Sequence, residues 1–408
     1  MRLAICNWTH RQVGGTESYL GSVAGYLDRH GYEIGFLSER DTPANRPPIQ
    51  LPHGTPLWCV EKLGEEQALS ALRAWKPDVI HTNIIEDVRL DQKLLEVAPT
   101  VFDAHAFYGT CVGGNKCFKR PQPMPCARQL GWQCLVNYYP RRCGGLNPIT
   151  MLMRYRHEMA KHALLPRYQA VIVHSEYMRN EYVKHGVLPG RAFTVSASAQ
   201  EQVAEATPTT SERLNTSTDA RSTVSLLFVG RMDDLKGGSV LLEALPAIAA
   251  GLGRAVHLVF AGEGPARSRW ERQARSLADS HASISAAFHG WIRGDALAAL
   301  YRKASVLVVP SLWPEPFGLV GLEAGHYGVP SAAFAVGGIP DWLIDGVNGH
   351  LAPGDPPTAK GLAQAVIECL IDSTHTASLR AGAEVRARSG GNGASWSDLL
   401  DIFENVGA

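Results

Sequence analysis

The chain has 408 residues, 45% hydrophobic and 19% charged, which excludes a disordered or fibrous protein and is too long for one ordinary core. Its formal net charge is zero and its pI is near 7.2, so the electrostatic footprint of a nucleic-acid-binding protein is missing. No apolar run approaches the ~20 residues that span a bilayer, and residues 1–8 lack a signal peptide's long apolar region, so two cytoplasmic domains are expected.

In chain order, Leu3 to Asn7 reads as a strand, followed by a turn at Gly14 and Gly15. A helix then starts near Thr16 as N-cap, with Leu20, Val23, Ala24 and Leu27 on one face. Ile34 to Ser38, Asp78 to His81, Thr100 to Ala104 and Ala170 to His174 are further strands with helical segments between several of them. That alternation is the pattern of a doubly wound parallel sheet. Residues 200–222 are polar, rich in Ser and Thr, and read as a linker. Beyond them the pattern restarts. Strands at Val224–Val229, Val256–Ala261, Ser285–His289, Val306–Val309 and Ser331–Phe334 alternate with helices near 237–250, 265–280 and 294–303. An α/β chain of two Rossmann-like units follows, 1–199 and 223–390, with a cleft lined by loops at the strands' carboxyl ends. Residues 394–406 read as a last amphipathic helix.

Chemistry concentrates at three strand ends. Gly230, Arg231, Lys236 and Gly237 follow a strand and precede a helix, and two cations beside a glycine-permitted turn make a pocket for a diphosphate. Glu315 to Glu323, EPFGLVGLE, also runs from a strand through a turn into a helix. Its two carboxylates do not fit the apolar pattern around them and need donors, for which sugar or ribose hydroxyls are suitable. Gly14 and Gly15 let the main chain come near a phosphate at a helix start. The turn Gly262-Glu263-Gly264 is either ligand-facing or only the tight connection that starts a helix at Pro265.

The E-x7-E segment, with Gly337 to Asp341 (GGIPD) downstream, resembles the retaining glycosyltransferases of the GT-B fold, family 4. The resemblance covers nearly the whole chain, and its specific motifs cluster in the second half. It implies two Rossmann-like domains facing each other across a cleft, and a last helix (391–408) that crosses back to the first. It implies a hexosyl-type sugar moved from a nucleoside diphosphate sugar (UDP- or GDP-) to a small-molecule, glycan or lipid-linked acceptor. No metal or other cofactor is required and nucleic acid is not a partner. No transmembrane segment is expected, although peripheral membrane association is compatible with this class.

By the same resemblance Arg231 and Lys236 hold the leaving pyrophosphate, Glu315 lies near the hexose, and Glu323 takes the ribose hydroxyls. Backbone amides of Phe317, Gly318 and Leu319, after Pro316, face phosphate and sugar. His289 flanks the nucleobase, and His105 stands by the transferred sugar as ring or backbone, its alternative being a core histidine bonded to a backbone carbonyl. His81 reads as a packing or acceptor-side residue. Asp233 and Asp234 read as solvated. Rival readings are a sugar phosphorylase or epimerase on this scaffold, or a non-catalytic sugar-nucleotide-binding subunit.

Two departures from the family stand out. Its Asn-Gly-x-Asp is absent, the chain reading TVSASAQ from Thr194 to Gln200. A cysteine-rich insertion, 108–147, carries Cys111, Cys117, Cys126, Cys134 and Cys143 without a C-x-x-C pair. A structural zinc, one or two disulfides, or reduced packing thiols are the alternatives, and the segment is expected to shape the acceptor side.

Overall fold

The computed structural model describes residues 1–195, 223–391 and 396–408. The linker at 200–222 and all but the first two residues of the Thr194–Gln200 departure lie outside the described residues. Two compact units emerge. Among the described residues the first comprises 1–116, 127–195 and 396–408, and the second comprises 117–126 and 223–391.

The first unit is built on a parallel sheet. Its strands are β1 (Arg2–Thr9), β2 (Glu33–Arg40), β3 (Leu57–Cys59), β4 (Val79–Thr82), β5 (Thr100–Ala104), β8 (Ala170–Val173) and β9 (Ala192–Thr194). They lie in the order β3-β2-β1-β4-β5-β8-β9. The central strands are buried along nearly their whole length, as parallel strands covered on both faces must be. The helix Gly15–Arg29 lays Leu20, Val23, Ala24 and Leu27 against Leu3 and Ile5. The terminal helix Ser397–Gly407 completes that core with Leu399, Ile402 and Phe403, so the chain's last element belongs to the unit in which the chain begins.

The second unit has its own parallel sheet. Its strands are β10 (Val224–Val229), β11 (Val256–Ala261), β12 (Ile284–Phe288), β13 (Val306–Val309), β14 (Ser331–Phe334) and β15 (Gly349–Ala352). Their order is β12-β11-β10-β13-β14-β15. The order reverses direction between β10 and β13, and both strand ends carry the motifs singled out above. The stretch Asp234–Leu252 is, among the described residues, the helical segment long and apolar enough to cross a membrane by length and composition. Half of it is buried within this unit, as in a core helix.

Two expectations need correction. The helix after β1 is capped by Gly14, not Thr16, because the buried Glu17 folds back and accepts from the Gly14 amide at 2.7 Å. The insertion 108–147 is divided between the units: residues 108–116 and 127–147 stay with the first, and residues 117–126 do not. Its hairpin of β6 (Cys117–Phe118) and β7 (Met124–Pro125) groups with the second, where the Cys117 thiol faces the Leu312 carbonyl at 3.6 Å. All eight cysteines are free thiols. Among the described residues no three cysteines converge at ligand distance, so the zinc alternative has no thiol cage here. The segment is tied down instead by the buried Lys116, whose ammonium lies 2.9 Å from Glu181 and donates to the Thr110 carbonyl.

Candidate functional site

In the second unit, local geometry brings Lys236 to Glu315 across 79 residues of sequence. Asp233 caps the short turn Asp234–Lys236 by accepting from the amides of Leu235 and Lys236 at 3.0 and 3.3 Å. Gly237 follows at φ +72°, and a Cβ there would stand 1.8 Å from the Pro310 carbonyl oxygen. The glycine therefore lets the loop after β10 sit on the end of β13, where Leu312 donates its amide to Leu235 at 2.7 Å. Asp233 is thus structural as a cap, whereas Asp234 is solvated as expected, its side chain 71% exposed and paired with the exposed Arg269.

Glu315 is the centre of this site. It is 5% exposed, and Lys236 Nζ lies 2.7 Å from its Oε1. The Trp313 indole N–H donates to the same oxygen at 2.9 Å, and the Ser311 hydroxyl also donates to it. Among the described residues all three donors go to Oε1 and none to Oε2, so the second oxygen remains available to a ligand hydroxyl. The Lys236 ammonium also stands 5.5 Å from the centre of the Trp313 ring. Gly337, at φ +57°, passes so close that a Cβ would meet Glu315 backbone atoms at 2.4 Å, and Gly338 donates to the Glu315 carbonyl at 2.7 Å. The GGIPD loop is therefore a clamp on Glu315.

Pro316 and Phe317 lead from Glu315 into the short helix Val320–His326. The amides of Phe317, Gly318 and Leu319 donate to no main-chain carbonyl among the described residues. Gly318, at φ +99°, faces the indole of the buried Trp342, which donates to the Phe317 carbonyl at 2.8 Å. Glu323 repeats the arrangement of Glu315: its Oε2 accepts from the Tyr301 hydroxyl at 2.8 Å, and Oε1 is left open. Burial of the carboxylate's inner side raises its pKa, although the residue remains accessible at the surface. Arg231 is the exposed member of the set, its side chain 70% accessible and its Nε 3.7 Å from Asp233. Gly230, beside it, directly follows β10. His289 directly follows β12 and is exposed, near Trp291, which is 53% exposed and carries the Arg293 guanidinium over its ring at 5.1 Å. The Gly262-Glu263-Gly264 turn is a structural connection: a Cβ on Gly264 would collide with the Met232 carbonyl, and Met232 donates to the Glu263 carbonyl.

The first unit holds a different cluster. Asp103, buried on β5, faces three histidines and a tyrosine. Its Oδ2 accepts from the Tyr19 hydroxyl at 3.0 Å and from His81 Nε2 at 3.1 Å, while its Oδ1 lies 3.0 Å from His174 Nε2. The proton positions follow from the acceptors. Asn83 donates its amide to the His81 carbonyl, so its Oδ1 accepts from His105 Nε2 at 2.9 Å. The His105 Nδ1 is then a lone pair facing His174 Nε2 at 3.2 Å, and His174 Nδ1 donates to the Val195 carbonyl at 3.1 Å. His174 therefore carries both protons and His105 is neutral.

The electrostatics agree. Burial holds the His105 pKa down to about 3, against the opposing pull of Asp103. For His174 burial also pushes downward, but the Asp103 carboxylate outweighs it and the pKa is raised. Burial alone would raise Asp103, yet the surrounding histidines hold it well below the usual carboxylate range. His105 keeps only about a tenth of its side chain exposed, a core histidine with one edge at the surface whose partners are the Asn83 side chain and His174 rather than a backbone carbonyl. A Cβ on Gly14 would stand 3.6 Å from the Glu17 carboxylate, an ordinary contact. A Cβ on Gly15 would touch nothing within 4 Å, so the fold itself does not require that glycine.

Sequence reasoning missed Ser311, Trp313, Tyr301, His174 and Asp103 as members of these clusters. Only Asp103 left a signal, as an acid inside the apolar strand Thr100–Ala104.

Two parallel-sheet Rossmann-like domains, with a cation–carboxylate pair at the strand ends of the second, define a GT-B glycosyltransferase scaffold. The chain belongs to the family 4, group 1 glycosyltransferases: the model described as Glycosyltransferase Family 4 matches residues 13–196 and that described as Glycosyl transferases group 1 matches 223–372. An uncharacterized glycosyltransferase of Methanocaldococcus jannaschii is 39% identical over 30% of this chain and 30% of its own. A D-inositol 3-phosphate glycosyltransferase of Xylanimonas cellulosilytica is 36% identical over 44% of this chain and 41% of its own. The chain thus spans less than half the length of these curated relatives. Among solved structures, the sucrose-phosphate synthase of Thermosynechococcus elongatus aligns over 100% of this chain and 97% of its own, at 23% identity and a TM-score of 0.65. Anabaena HepE in complex with UDP and glucose aligns over 100% and 98%, at 16% identity and a TM-score of 0.65. These likenesses establish the fold.

Proposed function

We propose that the protein is a retaining glycosyltransferase that moves a hexosyl-type sugar from a UDP- or GDP-sugar to an acceptor hydroxyl or other nucleophile. The observation that carries this reading is the Lys236–Glu315 pair, built from two different strand-end loops of the second unit and left with one open carboxylate oxygen. A pyrophosphate placed between Lys236, Arg231 and the amides of Phe317 to Leu319 meets two cations and three donors. Glu315 Oε2 then suits a sugar hydroxyl, and Glu323 Oε1 suits a ribose hydroxyl, each carboxylate being held in place through its other oxygen. Trp291, exposed beside His289, offers a face for the base.

In this reading the bond from the sugar's anomeric carbon to the diphosphate oxygen breaks, and both electrons leave with the diphosphate, stabilised by Lys236 and Arg231. The acceptor oxygen attacks from the same face, and its proton passes to the departing diphosphate oxygen. No protein base is required, which fits a His105 whose two ring nitrogens are already engaged. Catalysis then rests on positioning and on charges placed in advance. The reading requires no metal, and a full set of free thiols suits the reducing cytoplasm.

The test is a donor screen with UDP- and GDP-sugars, followed by NMR of the anomeric configuration of the product. Transfer or slow donor hydrolysis with retained configuration supports the proposal. Binding without any turnover across the screen points to a non-catalytic subunit, and phosphate-dependent product formation points to a phosphorylase.

A further inference from the structure

A second feature of the first unit has no part in the sugar-nucleotide chemistry. Six large hydrophobic side chains between residues 132 and 153 are exposed: Trp132, Val136, Leu146, Ile149, Leu152 and Met153, four of them with about two thirds of their surface in water. The other exposed large hydrophobics are scattered singly along the described chain. Four of them lie on two packed helices, Val136 on Gln133–Tyr138 and Ile149, Leu152 and Met153 on Pro148–Leu164; Trp132 immediately precedes the first helix and Leu146 lies in the connection between the two. The longer helix is apolar on two faces. Met151, Tyr155 and Met159 pack on the small core of Val112, Leu130 and Tyr138, whereas Ile149, Leu152 and Met153 share a different, uncovered face with Arg156.

Charge says what covers it. From residue 127 to residue 157 the chain has five arginines, Arg128, Arg141, Arg142, Arg154 and Arg156, and no Asp or Glu. In a chain of zero net charge that is a marked segregation, the excess of carboxylates lying elsewhere. A second copy of this chain docked on the same face would set arginines against arginines. An anionic phospholipid surface instead supplies phosphates that suit guanidinium forks, an apolar layer for Ile149, Leu152 and Met153, and a headgroup zone in which an indole is at home.

We propose that the exposed apolar side chains of these two packed helices, Trp132, Val136, Ile149 and Met153, together with the arginines near them in the chain, Arg128, Arg142, Arg154 and Arg156, dock the protein onto anionic phospholipid membranes. The helices lie on such a surface without crossing it, and binding combines apolar insertion with attraction to headgroups. The proposal is independent of the sugar-nucleotide reading and stands or falls separately from it.

The experiment is cosedimentation of the full chain with sucrose-loaded vesicles, either of phosphatidylcholine alone or of phosphatidylcholine and phosphatidylglycerol in equal parts. Binding to the anionic vesicles should exceed binding to the neutral ones by about tenfold or more and should weaken with salt. The triple change Trp132→Ser, Ile149→Ser, Met153→Ser and the triple change Arg142→Gln, Arg154→Gln, Arg156→Gln should each lower it by at least about tenfold. Thermal melting identifies any variant that fails to fold, in which case Trp132→Ser alone is used and should still lower binding severalfold. Equal binding to both vesicle types, no binding to either, or variants that fold and bind like the parent would each overturn the proposal. So would sedimentation equilibrium showing a dimer that the apolar triple change dissolves without affecting vesicle binding.

Discussion

The two polar clusters of this molecule use similar side chains in opposite ways. Around Asp103 in the first unit the carboxylate is enclosed: Asp103 is fully buried, Tyr19 and His81 meet its Oδ2, His174 stands 3.0 Å from its Oδ1, and only His105 keeps an edge at the surface. Around Glu315 and Glu323 in the second unit each carboxylate is anchored by one oxygen and open at the other, and Arg231 stands in solvent. A closed cluster fixes geometry, because every polar atom removed leaves a buried partner unpaired. An open cluster binds, because part of its hydrogen-bonding capacity is unspent.

The sharpest way to break this comparison is Asp103→Ala. It leaves the cationic His174 and the Tyr19 hydroxyl buried without their acceptor and should lower stability by about 3–5 kcal/mol, measured by urea unfolding of the first unit. Nucleotide affinity of the second unit should stay unchanged. A loss below about 1 kcal/mol would mean that the cluster is not closed.

Next comes Lys236→Ala, which removes a charge-assisted contact to the proposed diphosphate. We expect UDP or GDP binding, followed by calorimetry, to weaken by about 1.5–3 kcal/mol with little effect on melting. Unchanged affinity for both nucleotides would remove Lys236 from the site.

A third effect concerns pH. His185 in the first unit accepts the Leu130 amide on Nε2 at 3.0 Å, and burial lowers its pKa to about 4. A histidine whose folded pKa lies below the unfolded value of ~6.5 contributes stability that is full above pH ~6.5 and is lost as pH falls toward 4. His174, with its raised pKa, acts in the opposite sense and loses its contribution as pH rises. The difference between wild type and His185→Gln isolates the first: Gln can accept from Leu130 at any pH. Wild type should therefore lose about 1 kcal/mol relative to the variant between pH 7.5 and 5.5. Parallel melting curves would show that His185 is not held neutral.

The smallest change is Tyr301→Phe, which frees Glu323 Oε2 while keeping the ring. Nucleotide binding should weaken by about 0.5–1.5 kcal/mol with turnover at saturating donor nearly constant. A larger loss in turnover than in affinity would place Glu323 at the reacting sugar.

Much of the second unit was legible in the chain, since its donor motifs are local: GR-x4-KG and EPFGLVGLE each lie in one loop and one helix start, and the strands before them are short apolar runs. The partners that set their geometry were not. Trp313 and Ser311 look like ordinary residues after a strand, and only the seating of Gly237 on Pro310 shows that they and Lys236 meet at one oxygen of Glu315. The turn Gly262-Glu263-Gly264 was ambiguous for the same reason, its need for glycine being set by a neighbouring loop's backbone.

By itself, then, the sequence determined the alternation of strands and helices, the two parallel sheets and the strand ends at which chemistry collects. Those follow from hydrophobic period, glycine and charge within a few residues of one another. Tertiary structure alone decided that Tyr19, His81 and His174 share the buried carboxylate of Asp103, and that the 117–126 hairpin groups with the second unit. It also decided that Ile149, Leu152 and Met153 remain uncovered on a helix whose other face is packed. Each of these depends on contacts between residues far apart in the chain, and a one-dimensional pattern records which side chains want a partner but not which partner the fold delivers.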